Sequence, residues 1–171
     1  TIGNFDGVHI GHQRIIAQLR AASERLGVPA VVIVFEPQPR EFFEREAAPP
    51  RLMRLREKVE WLLHHGVDRV LCIRFDETLS SLSPVAFVNT LLVDGLSVRA
   101  LVIGDDFRFG RARAGDFSLL AGIASNHGFE LIRAETVSLG GERISSTRVR
   151  ACLAAGDLAG ARELLGRNYS I

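Results

Sequence analysis

The sequence is poor in thiols, poor in lysine and free of long apolar runs, and each shortage closes off a class of function. Only two of its 171 residues are cysteine, Cys72 and Cys152, and neither has a CxxC partner. A disulfide framework, a thiol-based metal knuckle and a dithiol redox motif are thereby excluded. Both cysteines sit in apolar stretches, "VLCIRF" and "RVRACLAAG", and are expected to be small buried hydrophobes. No stretch approaches the roughly 18–20 apolar residues that cross a bilayer, and no charged-then-apolar leader opens the sequence. The expectation is a cytoplasmic protein that meets no membrane. Charge of one sign is also missing, since 21 basic residues against 20 acidic ones leave a net +1. That excludes bulk attraction to nucleic acid, so any anion site has to be local.

What is present is the balance of a soluble globular domain, 47% hydrophobic and 24% charged. Short β-branched runs alternate with longer helical patterns, as in βαβ units on a parallel sheet. "AVVIVFE" at 30–36 is a nearly continuous apolar strand of the kind covered on both faces; 69–75 and 98–104 repeat the type, and 129–139 is a weaker version. Helices are expected over about 12–26, 55–65, 84–95, 116–127, 147–155 and 157–165, with Ser83, Asp116 and Asp157 as caps and Gly27, Gly66, Gly128, Gly156 and Gly166 as stops. Counting the opening residues as the end of a first strand gives an α/β fold, a Rossmann-like doubly wound parallel sheet of about five strands with flanking helices. Ligands of such sheets bind beyond the carboxyl ends of the strands, which singles out the loops 3–12, 37–52, 76–83 and 104–116.

The first of these loops reads "GNFDGVHIGHQ". Gly3, Gly7 and Gly11 recur every four residues, bringing backbone close to a ligand and supplying positive φ where needed. Consecutive amides ahead of a helix make an anion nest, and His9 and His12 fall on one side of the helix entry, with Gly11 leaving the space between them open. A chance surface pair and half a metal site are the alternatives, but no third ligand is evident. The stretch is neither G-x-G-x-x-G nor a P-loop. A second cluster, "RISSTRVR" at 143–150, sets Ser145, Ser146 and Thr147 at a helix start between Arg143 and Arg150. One hydroxyl suffices for a cap, whereas three hydroxyls with guanidiniums and a helix N-terminus make a polyphosphate clamp. His64, His65 and His127 lie at helix ends, and Trp61 reads as a packing residue.

His9-Ile10-Gly11-His12 resembles the H-x-G-H signature of the nucleotidylyltransferase superfamily. "RISSTRVR" resembles the "ISSTxxR" signature of prokaryotic FAD synthetases, the bifunctional riboflavin kinase/FMN adenylyltransferases. The similarity runs in order through "TIGNFDGVHIGH" (1–12), "FEPQPREFF" (35–43), "GDDFRFGRARAGD" (104–116), "RISSTRVR" (143–150) and "GDLAGARELLGRNYSI" (156–171). It departs at Gln38, where many members carry histidine, and at Asn168, where proline is usual.

This resemblance implies transfer of AMP from ATP to FMN, giving FAD and pyrophosphate. It implies catalytic roles for His9, His12, Ser146, Thr147 and Arg150, with ATP held by Gly3, Asn4, Phe5, Asp6, Gly7, Gly11, Arg143 and Ser145. Pro37, Pro39, Phe43, Asp106 and Phe109 correspond to positions lining the flavin site, Arg108, Arg111 and Arg113 to a solvated flap, and Mg²⁺ is expected to accompany ATP with no metal ligand assignable. Residues 1–155 would form the adenylyltransferase domain without the start of its first strand, and 156–171 a short helix and the start of a linker to a riboflavin kinase domain. Two other readings stand beside it: a related adenylyl- or cytidylyltransferase with another phosphate acceptor, and a non-catalytic flavin or nucleotide-binding module. A tRNA synthetase shares the letters "HIGH" but needs a lysine loop, and Lys58 is the only lysine.

Overall fold

Apolar periodicity and capping chemistry place most elements where the sequence predicts them. The computed structural model describes residues 1–170. In chain order they form α1 (Ile10–Leu26), β1 (Val31–Glu36), α2 (Pro39–Glu44), α3 (Leu55–His64), β2 (Arg69–Arg74), α4 (Glu77–Ser81) and α5 (Pro84–Val88). Then follow β3 (Ala100–Ile103), α6 (Phe117–His127), β4 (Glu130–Arg133), the hairpin β5 (Ser138–Leu139) and β6 (Glu142–Arg143), α7 (Ser146–Ala154) and α8 (Leu158–Leu165). Asp116 and Asp157 accept from the amides of Leu119 and Gly160, as expected of N-caps, and Gly27, Gly128 and Gly166 end their helices in the left-handed region.

The pairing at the expected strand positions is parallel and is divided between two small two-stranded sheets. β1 pairs with β2 and β3 with β4, and Thr1–Gly3 runs beside β1 through bonds to Val31 and Ile33. Successive side chains of a strand face opposite ways, and the burial follows that alternation. Ile33, Phe35, Leu101 and Ile103 enter one core with Phe87, Leu120 and Ile123 of α5 and α6, while Val32, Val34 and Val102 enter another with Ile16, Leu19 and Leu62 of α1 and α3. Helices therefore cover both faces of the strands. A third cluster, Leu52, Ile144, Val149, Leu164 and Leu165, seats α7 and α8 against the histidine loop.

Three expectations need correction. β2 is not covered on both faces: it pairs only with β1, Leu71 is 37% exposed, and Cys72 lies open to solvent rather than buried. Its central run Val70–Ile73 is as apolar as the middle of β1, but arginine stands at both ends and the strand lies at the edge, with β1 on one side only. The run 129–139 is not one strand. It stops pairing at Arg133, and its last two residues join an antiparallel hairpin with β6. "FEPQPREFF" is not all loop, because Pro39 opens the six-residue α2, proline being preorganised for a first helical position.

Candidate active site

The histidine loop gains its shape from a strained backbone. Gly7 has φ 82°, and a Cβ there would meet Leu52 Cδ1 at 2.8 Å, so glycine is required. Phe5 (φ 47°) and Val8 (φ 37°) share the left-handed region without being glycine. His9 then caps α1, its Nδ1 accepting from the His12 amide at 3.3 Å. A ring whose Nδ1 accepts carries its proton on Nε2 when neutral, so Nε2 is free to donate. The two imidazoles stack, with centroids 3.6 Å apart and planes 14° from parallel. The space between them is therefore closed, not open. Gly11 instead makes room for the ring of His9, which a Cβ would meet at 3.2 Å. Burial lowers the His9 pKa to about 4 and holds His12 well below the ordinary histidine value, with nearby positive charges acting in the same direction. Both rings are neutral at neutral pH, and His12 Nδ1 is buried without a hydrogen-bond partner among the described residues.

The serine cluster packs directly on this loop. Ser145 caps α7 by accepting from the Arg148 amide, and Ser146 Oγ donates to the Asp6 carbonyl at 2.8 Å. Only Thr147 of the three hydroxyls makes no hydrogen bond among the described residues. Asp6 is buried, and its carboxylate accepts from the Leu52 amide and from Arg150, 2.5 Å away. Arg150 also donates to the Pro50 carbonyl at 2.7 Å. Its guanidinium is thus committed to structural partners, set behind the cluster it was expected to extend.

One cavity of about 830 Å³ joins these parts at the carboxyl ends of the strands. That is within the usual range for small-molecule sites, roughly 300–1,000 Å³. Its polar end is lined by His9, Gly11, His12, Arg143 and Ser145–Thr147, with Gly3, Asn4 and Phe5 between them. Its apolar end is lined by Pro39, Phe43, Phe75, Phe107 and Phe109. Phe43 is 65% exposed and meets Phe42 and Phe75 edge to face, an arrangement that leaves an aromatic surface open to a flat ligand. Asp6, Gly7, Pro37 and Arg150, all expected at the site, lie outside this lining and shape it from behind. Pro37 follows a cis peptide bond, and Gln38 is buried at the N-cap of α2.

Two arginines organise the rim. Arg143 makes a two-pronged pair with Asp106 (2.8 and 3.1 Å), which holds the Asp106 carboxyl below the usual carboxylate range. Arg51 binds Glu36 and Glu41, each at 2.5 Å, pinning α2 to the end of β1. In the segment expected as a solvated flap, Arg108, Arg111 and Arg113 are exposed, and the backbone is held at two points. Arg111 N donates to the Leu82 carbonyl at 2.7 Å, and the ring of Phe109 presses so close to Gly115 that a Cβ would meet it at 2.6 Å.

The sequence reading missed Phe75, Arg51 and Lys58. Phe75 was within reach, being the last residue of the expected strand 69–75 and the first beyond the carboxyl end of β2. Arg51 and Lys58 gave no local signal. Lys58, 1% exposed, has its pKa lowered by burial against the opposing pull of Asp6. Among the described residues no three His, Cys, Asp or Glu side chains group as a metal site, and no helix is long and apolar enough to cross a membrane.

Known proteins resemble this arrangement along its whole length. The chain is 54% identical to the bifunctional riboflavin kinase/FMN adenylyltransferase of Pseudomonas fluorescens and 48% identical to that of Escherichia coli K12, matching over 171 residues and 55% of each relative's length. It thus spans about half the length of the curated relatives it matches. Among solved structures, one described as a macrolide-efflux protein from Streptococcus pneumoniae superposes with a TM-score of 0.84 at 25% identity, over 98% of this chain and 64% of that one. The family model described as FAD synthetase matches residues 1–148, where the histidine loop, the aromatic walls and the serine cluster all lie. The chain therefore belongs to the FAD synthetase family.

Proposed function

We propose that this chain transfers AMP from ATP to the phosphate of FMN, forming FAD and releasing pyrophosphate. One observation carries the reading: stacked neutral imidazoles and a hydroxyl-capped helix N-terminus share a single cavity whose far end is aromatic. The first half suits a triphosphate and the second an isoalloxazine ring. The relatives are named for two activities, and we read this chain as the adenylyltransferase share, joined in the natural protein to a riboflavin kinase module. A cytoplasmic setting follows from the substrates.

An oxygen of the FMN phosphate attacks the α-phosphorus of ATP, the bond from that phosphorus to the β-bridging oxygen breaks, and its electron pair leaves with pyrophosphate. The nucleophile is already an anion, so no general base is needed, and catalysis consists of alignment and charge stabilisation. His9 and His12 donate to the α-phosphate, where charge develops. Ser145, Ser146 and Thr147 at the start of α7, with Arg143, hold the β and γ groups. Arg143 is paired with Asp106, so triphosphate competes with a carboxylate for it. Arg150 supports this end through Asp6. Asn4 and the backbone of Gly3, Phe5 and Gly11 border the phosphates, Pro39, Phe43 and Phe109 frame the flavin, and Gly7 and Pro37 shape the two ends from behind. The cavity carboxylates Glu44, Asp105, Asp106 and Glu135 are each paired with an arginine, so Mg²⁺ would enter as part of the substrate MgATP. It neutralises phosphate charge there.

Incubation with ATP, FMN and Mg²⁺, followed by chromatography, should yield FAD and pyrophosphate in equal amounts. Pyrophosphate released only with another phosphate acceptor would overturn the choice of FMN. Tight FMN binding with no FAD would mark a binding module instead.

A further inference from the structure

The left-handed conformations at Phe5 and Val8 each cost an L-residue ~1–2 kcal/mol, and three consecutive carbonyls keep the loop from relaxing. Ser146 holds the Asp6 carbonyl; Arg167 donates to the Gly7 carbonyl at 2.8 Å; Gln13 Nε2 donates to the Val8 carbonyl at 3.0 Å. Arg167 reaches the Val8 carbonyl as well, at 3.4 Å. A peptide group is planar, so fixing its carbonyl fixes the amide on the other side of the same plane. The Val8 carbonyl shares its plane with the nitrogen of His9. Whatever grips Val8 therefore sets the direction in which the His9 ring leaves the backbone, and with it the ring of His12 stacked at 3.6 Å.

Arg167 is itself braced. Its guanidinium lies over the Trp61 ring, 4.2 Å from the centroid. Gln13 ties the same corner to α8 through the Leu165 carbonyl at 3.0 Å. None of Arg167, Gln13 and Trp61 lines the cavity. A half-buried guanidinium that spends its donors on the carbonyls of the histidine loop shapes the site without touching a ligand.

We propose that Arg167, clamped between Trp61 and the Gly7 and Val8 carbonyls, is a positioning residue that holds His9 and His12 in the orientation adenylyl transfer requires. The role rests on the transfer reading above. Lysine cannot replace it, because one ammonium does not span two carbonyls while presenting a flat face to an indole. Misalignment of transition-state donors lowers turnover and leaves substrate affinity largely intact.

The test uses the full-length protein with Arg167→Ala and Arg167→Lys. Turnover for FAD should fall about tenfold in both, the KM values for ATP and FMN should stay within about twofold, and added guanidinium ion should restore part of the loss in Arg167→Ala alone. Independently of activity, spectra of ¹⁵N-histidine-labelled protein should show the His9 and His12 ring signals displaced in both variants, with His127, which touches neither Trp61 nor Arg167, unmoved; loss of a signal in His9→Gln and His12→Gln identifies each ring. Wild-type-like ring signals, or unchanged turnover, would overturn the proposal. Should the wild type form no FAD, the transfer reading fails while the ring signals still decide the clamp. If Arg167→Ala does not fold, Arg167→Lys decides by the same two readouts.

Discussion

At the scale of single residues, burial of the histidine pair links protonation to both chemistry and stability. His9 titrates near 4 when folded and near 6.5 when exposed, and His12 is lowered in the same sense, chiefly by desolvation. As pH falls through 6.5 the unfolded chain takes up protons that the folded one refuses. The His9 contribution to stability is complete above about pH 6.5 and is lost toward pH 4, at up to about 1.4 kcal/mol per pH unit, and His12 acts in the same direction. Urea midpoints should therefore drop between pH 7 and pH 5 in the wild type and drop less in His9→Gln/His12→Gln; equal drops would remove the histidines as the cause. For chemistry, His12→Ala should slow FAD formation by roughly 10²-fold or more, the usual loss on removing one donor to developing charge. FMN affinity, measured by fluorescence quenching, should stay near normal. The spacing of His9 and His12 made the pair visible in the sequence. Their stacking was not visible, because it depends on φ at Val8, a residue whose type argues against that conformation.

At the scale of elements, α7 is joined to the histidine loop by a buried ion pair and by apolar packing. Arg150 and Asp6 are 19% and 3% exposed, so removing one partner strands the other in a region poor in water. Asp6→Ala should cost about 3–5 kcal/mol in chemical denaturation. Asp6→Asn, which still accepts from Leu52, should cost less. A loss under about 1 kcal/mol for Asp6→Ala would assign the docking of α7 to Leu52, Ile144 and Val149 alone. Element types were largely legible, since Ser83, Asp116 and Asp157 cap where expected and Gly27, Gly128 and Gly166 stop their helices. The exposure of β2 was not, because its central run Val70–Ile73 is as apolar as the middle of β1 and burial depends on what the fold brings alongside.

At the scale of the whole molecule, the doubly wound arrangement gathers separate loops at one end and leaves a cavity there with unlike ends. Each substrate that binds only the folded state should stabilise it, by about 2.7 kcal/mol at 100 times its dissociation constant. Thermal denaturation should show separate gains from MgATP and from FMN. Phe43→Ala should lose most of the FMN gain and keep that of MgATP, while Arg143→Ala, at the end of the cavity read as holding the β and γ phosphates, should do the reverse. Loss of both gains in either variant would mean that the two ends do not act as separate subsites.

By itself the sequence determined the alternation of strands and helices, the chemistry of each loop and the family resemblance, since propensity, capping and motif spacing all act over a few residues. Only the tertiary structure decided that Arg150 faces Asp6 rather than the cavity, that Arg143 meets Asp106, and that Arg167 reaches back 160 positions to the Gly7 carbonyl. An arginine satisfies its donors with whatever acceptors the fold brings near, and no local pattern records which those are.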